Sequence, residues 1–76
     1  MVFERLIKVF NVIMPGVDTS KVTKDTNLKT ELGITSITVL LLVIGMEEEF
    51  GITFDNVKSD SFNTVGDVCE YIEARI

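Results

Sequence analysis

From Ile37 to Met46 the chain runs Ile-Thr-Val-Leu-Leu-Leu-Val-Ile-Gly-Met without a single charge. That stretch is far short of the roughly 20 apolar residues needed to span a bilayer. Its flanks read as helix ends. Thr35 or Ser36 can cap the start with a side-chain oxygen, and Gly51 stands just past Phe50, where helices commonly stop. A helix over about 36–50 is therefore predicted, and it would be apolar nearly all round. Such a helix has to be buried on most sides or meet a partner. Ile37, Leu40, Leu41 and Ile44 share one face by helical spacing, and Leu42 and Met46 extend the apolar arc. Leu40, Val43 and Ile44, with Phe50, are expected to fill the core. Met46 is expected to pack there or to line a flexible pocket.

The rest of the chain supplies partners for that helix. In the first segment Phe3, Leu6, Ile7, Phe10, Val12 and Ile13 follow a helical stripe, with Glu4, Arg5, Lys8 and Asn11 opposite, and Pro15-Gly16 ends it. Residues 15–35 form a long connection rich in Thr, Ser, Asp, Lys and Gly. So long a loop is uncommon in a small domain unless it is packed or functional. Leu28, Leu32 and Ile34 are expected to pin it to the core, with a short helical turn around Leu28 to Leu32. After Gly51, Ile52 and Phe54 are apolar anchors, Asp55 caps a short helical turn through Val57, and 58–61 is polar. Thr64 and Asp67 make an approximate capping box for a last helix, whose stripe is Val65, Val68, Cys69, Ile72 and Ile76. The fold expected is all-α: three main helices, one short one and a long loop between the first two, in one domain over 1–76.

Composition closes off other classes. One cysteine and no histidine leave no disulfide framework and no ordinary Cys/His zinc site, and a reducing cytoplasm is the setting expected. Cys69 is read as a small core residue. Glu4, Arg5 and Lys8 interrupt the first apolar segment, so no secretory signal is expected. Residues 1–30 hold five Lys/Arg against three Asp/Glu, and 31–76 hold two against nine, so balances of +2 and −7 give the net −5. An acidic second half repels phosphate backbones and steers the chain towards basic protein surfaces; nucleic acid is not an expected partner. With no paired cysteines, no glycine-rich phosphate loop and no carboxylate pair, an enzyme is not expected either.

The stretch Glu31-Leu-Gly-Ile-Thr-Ser36-Ile resembles the attachment motif of acyl carrier proteins, in which an acidic or small residue, Leu, Gly, an apolar residue, Asp, Ser and Leu follow one another. Glu47-Glu-Glu-Phe50 with Gly-Ile52 is similar to the end of that family's second helix. Phe62, Thr64-Val-Gly-Asp67 and Tyr71-Ile72 are similar to its last one. The resemblance covers nearly the whole chain in order. It implies a four-helix carrier bundle in which Ser36 takes 4′-phosphopantetheine covalently from coenzyme A through a separate phosphopantetheinyl transferase. The arm would hold acyl groups as thioesters and present them to acyl-transferring or condensing enzymes of fatty-acid, polyketide or another dedicated synthesis. A monomer is expected. With no histidine in the chain, the transferase has to bring the base and the metal.

Two departures from the family's pattern bear on partners. Thr35 stands where the family has Asp, so the helix keeps a cap but the carboxylate is lost. Thr38 and Leu41 stand where it has acidic residues. The resemblance implies that Ile37, Thr38 and Leu41 face outward beside Ser36, so Thr35, Ile37, Thr38 and Leu41 form a partner contact built more on packing than on charge. Of the acidic run 47–49, Glu47 and Glu48 are expected to grip a basic patch. The alternative is a non-covalent interaction module on the same fold that has lost modification.

Overall fold

The computed structural model describes residues 2–54 and 62–76. Among them are three α-helices, α1 (Val2–Ile13), α2 (Ser36–Phe50) and α3 (Val65–Glu73), and one 3-10 turn at Thr19–Lys21. The short helical turn expected at Asp55 to Val57 lies outside the described residues. The fold is the helical one expected of the carrier resemblance.

Helix α1 buries Val2, Leu6, Val9 and Phe10, spaced by four, three and one, as one face of a helix requires. Phe3, Ile7 and Ile13 pack half-buried at its edges. Val12, expected on the stripe, is instead exposed. It stands two positions beyond Phe10, about 200° round the helix, so it cannot share that face. Met14 still donates to Phe10 O at 2.7 Å, and Pro15 ends the helix there.

Helix α2 has its predicted bounds, but one prediction about its core fails. Leu42, Met46 and Phe50 are buried, with Val39 and Val43 packed against them, whereas Leu40 and Ile44 are exposed. The reason is angular. At 100° per residue, Ile37, Leu40, Leu41 and Ile44 fall within a 100° arc, and Leu42, Met46 and Phe50 lie on the other side. The chain has apolar groups for both faces and only one core. Gly51 closes α2 at φ +66°, a left-handed conformation that glycine adopts without penalty, and donates to Glu47 O at 2.9 Å.

Helix α3 buries Val65, Val68, Cys69 and Ile72 as predicted. Its stripe stops there: the helix ends at Glu73, and Ile76, expected to extend the stripe, is exposed. Arg75 instead folds back, its guanidinium carbon 3.5 Å above the Tyr71 ring. Burial pushes the Cys69 thiol above its ordinary pKa, which keeps it protonated and inert in the core.

The long loop is ordered by its polar groups. Asp18 accepts from Ser20 Oγ at 2.6 Å and Ser20 N at 3.0 Å, which caps the 3-10 turn and lowers the Asp18 pKa. Between Leu28 and Leu32 the predicted helical turn takes the form of a single hydrogen-bonded turn. Glu31 N donates to Asn27 O at 3.1 Å, while Asn27 Oδ1 accepts from Lys29 and Thr30 N at 2.9 Å each. Leu28 and Ile34 are buried and Leu32 half-buried, so all three pin the loop as expected.

Three backbone bonds then strap the loop to the start of α3: Leu28 N to Asn63 O (2.9 Å), Val65 N to Thr26 O (3.0 Å) and Gly66 N to Lys24 O (2.8 Å). Gly66 is fixed by space. A Cβ there would come within 2.9 Å of Lys24 O, a backbone atom that cannot swing aside.

Candidate functional site

Ser36 owes its position to the turn before it. Gly33, at φ +64°, reverses the chain without side-chain strain. Ile34 then drops into the core and its amide donates to Leu28 O at 3.0 Å. Thr35 is extended (φ −98°, ψ 172°) and caps α2: its Oγ1 accepts from Thr38 N at 3.4 Å and lies 3.2 Å from Thr38 Oγ1. Ser36 follows as the first helical residue, exposed, with exposed Thr35 and Ile37 on either side.

The electrostatics at that end favour an anion. Helix N-termini present free amides and the positive end of the helix dipole. Here the first turn contains no acidic residue, and the amides of Ser36 and Ile37 have no acceptor among the described residues. A phosphodiester on Ser36 Oγ would lie beside these donors, so the residues present fit a phosphate-linked group.

A family model described as phosphopantetheine attachment site matches residues 6–72. The chain belongs to that family. It is therefore a domain for covalently bound 4′-phosphopantetheine, in an acyl or peptidyl carrier role. Such carriers hold substrates for partner enzymes and are not catalysts themselves. Modification implies a phosphopantetheinyl transferase among those partners. Among the described residues, no helix is long and apolar enough to cross a membrane.

Around Ser36 the carrier brings together some of the predicted contact residues and separates others. Thr35, Ile37 and Thr38 cluster within the first turn, with Thr38 half-buried by its bond to Thr35, and Leu41 lies one turn on. Ile37 is 71% exposed and Leu41 48%, and they are joined by Leu40 at 63% and Ile44 at 55%. The outward apolar face thus runs on to Ile44, about one turn beyond what the resemblance implied. Glu47 and Glu48 lie at the far end of α2 and behave differently from each other. Glu47 Oε2 accepts from Phe54 N at 2.8 Å, which fixes the chain after Gly51. Glu48 is exposed and has no partner among the described residues, while Glu49 pairs with Arg5 Nε at 2.8 Å.

Beneath α2, Met46 lines a cavity of about 20 Å³ with Leu42, Phe10, Leu28 and Phe62. That is room for about one water molecule. Sequence reasoning missed the role of Glu47, which forms a local side-chain-to-backbone bond across seven residues. It also missed the contribution of α1 to the outer face; the exposed position of Val12, legible from its spacing to Phe10, was the available signal.

Proposed function

We propose that Ser36 is the attachment residue and that the chain carries acyl groups to the enzymes of a fatty-acid, polyketide or other dedicated acyl pathway in the cytoplasm. One observation carries this reading: within the family-matched span, Ser36 is an exposed hydroxyl on the first turn of α2, which has no acidic residue of its own and whose first amides have no acceptor among the described residues. Ser36 Oγ loses its proton and forms a P–O bond to the phosphopantetheine of coenzyme A, and adenosine bisphosphate leaves. The base and the metal ion come from the transferase, because the chain has no histidine and Thr35 has no carboxylate. When attached, the arm supplies a thiol that holds the acyl group as a thioester.

The chain's own residues orient the arm and meet the partner. The amides of α2 hold the phosphate end against the helix. Thr35, Ile37, Thr38 and Leu41 form the contact nearest the arm, and Glu48 adds one charge at the distal end. Glu47 contributes there by holding Phe54 N, which sets the shape of the surface at that end. Packing in place of charge makes binding to acyl-handling partners only weakly dependent on salt.

The test is an intact-mass measurement after incubation with coenzyme A and a broad-specificity phosphopantetheinyl transferase. A gain of one phosphopantetheine, absent in Ser36→Ala, is the expected result. No gain with several transferases would overturn Ser36 as the attachment residue and favour the non-covalent module.

A further inference from the structure

Helices α1 and α2 lie antiparallel in a fixed register. Arg5 bridges to Glu49, and Gly45 lies against Val9 and Ile13, with Val9 Cγ1 at 3.0 Å from where a Cβ would sit. On the outer side, the pair encloses a groove of about 380 Å³ whose floor is Val9, Ile13 and Gly45. The missing side chain at Gly45 lets α1 come this close to α2 at the floor. Val12, 77% exposed, forms the α1 rim, and Leu41 and Ile44 form the α2 rim.

Each rim also carries one free charge of opposite sign, Lys8 on α1 and Glu48 on α2. Among the described residues the one ion pair is Arg5–Glu49, so neither of these is neutralised. Gly45 packs between Val9 and Ile13, so residue numbers on facing turns add up to about 56, which sets Lys8 level with Glu48 and Val12 level with Ile44.

This face is complementary to itself. A two-fold axis running along the groove lays α1 of one copy over α2 of the other. Heights along the helices are unchanged by that rotation. Lys8 then meets Glu48 of the second copy, and Val12 meets Ile44 and Leu41, and each contact occurs twice, as a two-fold interface demands. An axis across the groove would stack like helices and pair no charges. Charge therefore selects both the occupant and its orientation. From these observations we infer that the outer α1–α2 face docks a second copy of this chain, in place of the single copy expected from the sequence.

The dimer leaves the attachment end open. Helix α1 ends at Ile13, level with Val43 in that register, and α2 runs seven residues further to Ser36, about 10.5 Å beyond the covered part. Two helices side by side, about 18 Å long and about 20 Å across, offer a footprint at the low end of the interface range, where complexes exchange readily. A carrier needs that exchange, because partner enzymes that use Leu41 or Glu48 must displace the second copy. Between such visits the dimer keeps a large apolar patch from water.

Sedimentation velocity on the full chain in 0.15 M salt, from about 10 µM to about 1 mM, tests the inference. A monomer–dimer equilibrium within that range is expected. Lys8→Glu and Glu48→Lys should each weaken it about tenfold, and the K8E/E48K double variant should recover to within about threefold of the parent. Ile44→Asp should abolish it, with an unchanged circular dichroism melt showing that the fold is kept. A monomer at every concentration would overturn the inference and leave the face to a different protein. Dimerisation insensitive to K8E, E48K and I44D would overturn it equally, by moving the contact elsewhere. The mass gain at Ser36 is measured separately in each variant, so failure of the dimer and failure of the attachment reading are told apart.

Discussion

Helices α2 and α3 both begin with a threonine cap, and the two starts are built to different ends. At α3, Thr64 Oγ1 accepts from Asp67 N at 3.2 Å, and the Asp67 carboxylate returns to Asn63 N at 2.9 Å and Thr64 N at 3.1 Å. The box is complete, and an acid already stands at the positive end of the helix. At α2 the same positions hold Thr35 and Thr38. The cap bond is longer, at 3.4 Å, and no carboxylate answers it. One helix end is saturated for stability. The other keeps its amides available, at the residue proposed to receive a phosphate.

Experiments can break this contrast at several depths. The largest effect is expected at Ser36, where Ser36→Ala removes the whole mass gain while Thr64→Ala leaves it intact. Next come the faces the two helices present. Ile72→Ala, deep under α3, should cost about 2–5 kcal/mol in denaturant unfolding, whereas Leu40→Ala on the outward face of α2 should cost under about 1 kcal/mol. The caps follow. Thr64→Ala should lose about 1–2 kcal/mol and Thr35→Ala about 0.5 kcal/mol, since the first breaks a reciprocal pair and the second a single long bond.

The pH dependence separates the ends further. Backbone bonds from Asn63 and Thr64 hold the Asp67 carboxyl below its ordinary value of 3.8. A carboxylate depressed on folding stabilises the native state above its unfolded pKa and loses that contribution as pH falls through the folded value. Stability should therefore decline as pH drops below about 4, and Asp67→Asn should flatten the part of that decline due to α3. The smallest expected effect is from Thr38→Asp, which gives α2 a box like that of α3. It should raise the melting temperature of the unmodified protein by a few degrees, equivalent to about 0.5 kcal/mol. It should also reduce any stabilisation gained on modification, because carboxylate and phosphate would compete for the same amides.

Much of this was legible in the residues. Gly51 and Thr35 fixed the ends of α2, Thr64 and Asp67 announced the box of α3, and the stretch from Glu31 to Ile37 pointed to Ser36. What was not legible depended on choosing between equivalents. Leu40 and Ile44 are as apolar as Leu42 and Met46, so hydropathy could not decide which set took the single core, although their angular grouping with Ile37 pointed outward. Val12 failed for a similar reason, as apolar character outweighed its place opposite Phe10. The local bond from Phe54 N to Glu47 and the loop's long-range strap to α3 leave no periodic trace. Ile76 continued a helical spacing, but the helix itself stopped at Glu73.

The strap through Gly66 also ties the segment that leads to Ser36 to the far end of the chain. Its partners, 24 with 66 and 28 with 63, are separated by the whole of α2 and the stretch after it, so closing it carries the loop-closure cost of a distant pairing. Contacts between α1 and α2 close over similar separations, 9 with 45 and 5 with 49, but the restraints at 24, 26 and 28 form only when α3 docks. A side chain at position 66 would therefore be felt some 30 residues away, at Ser36.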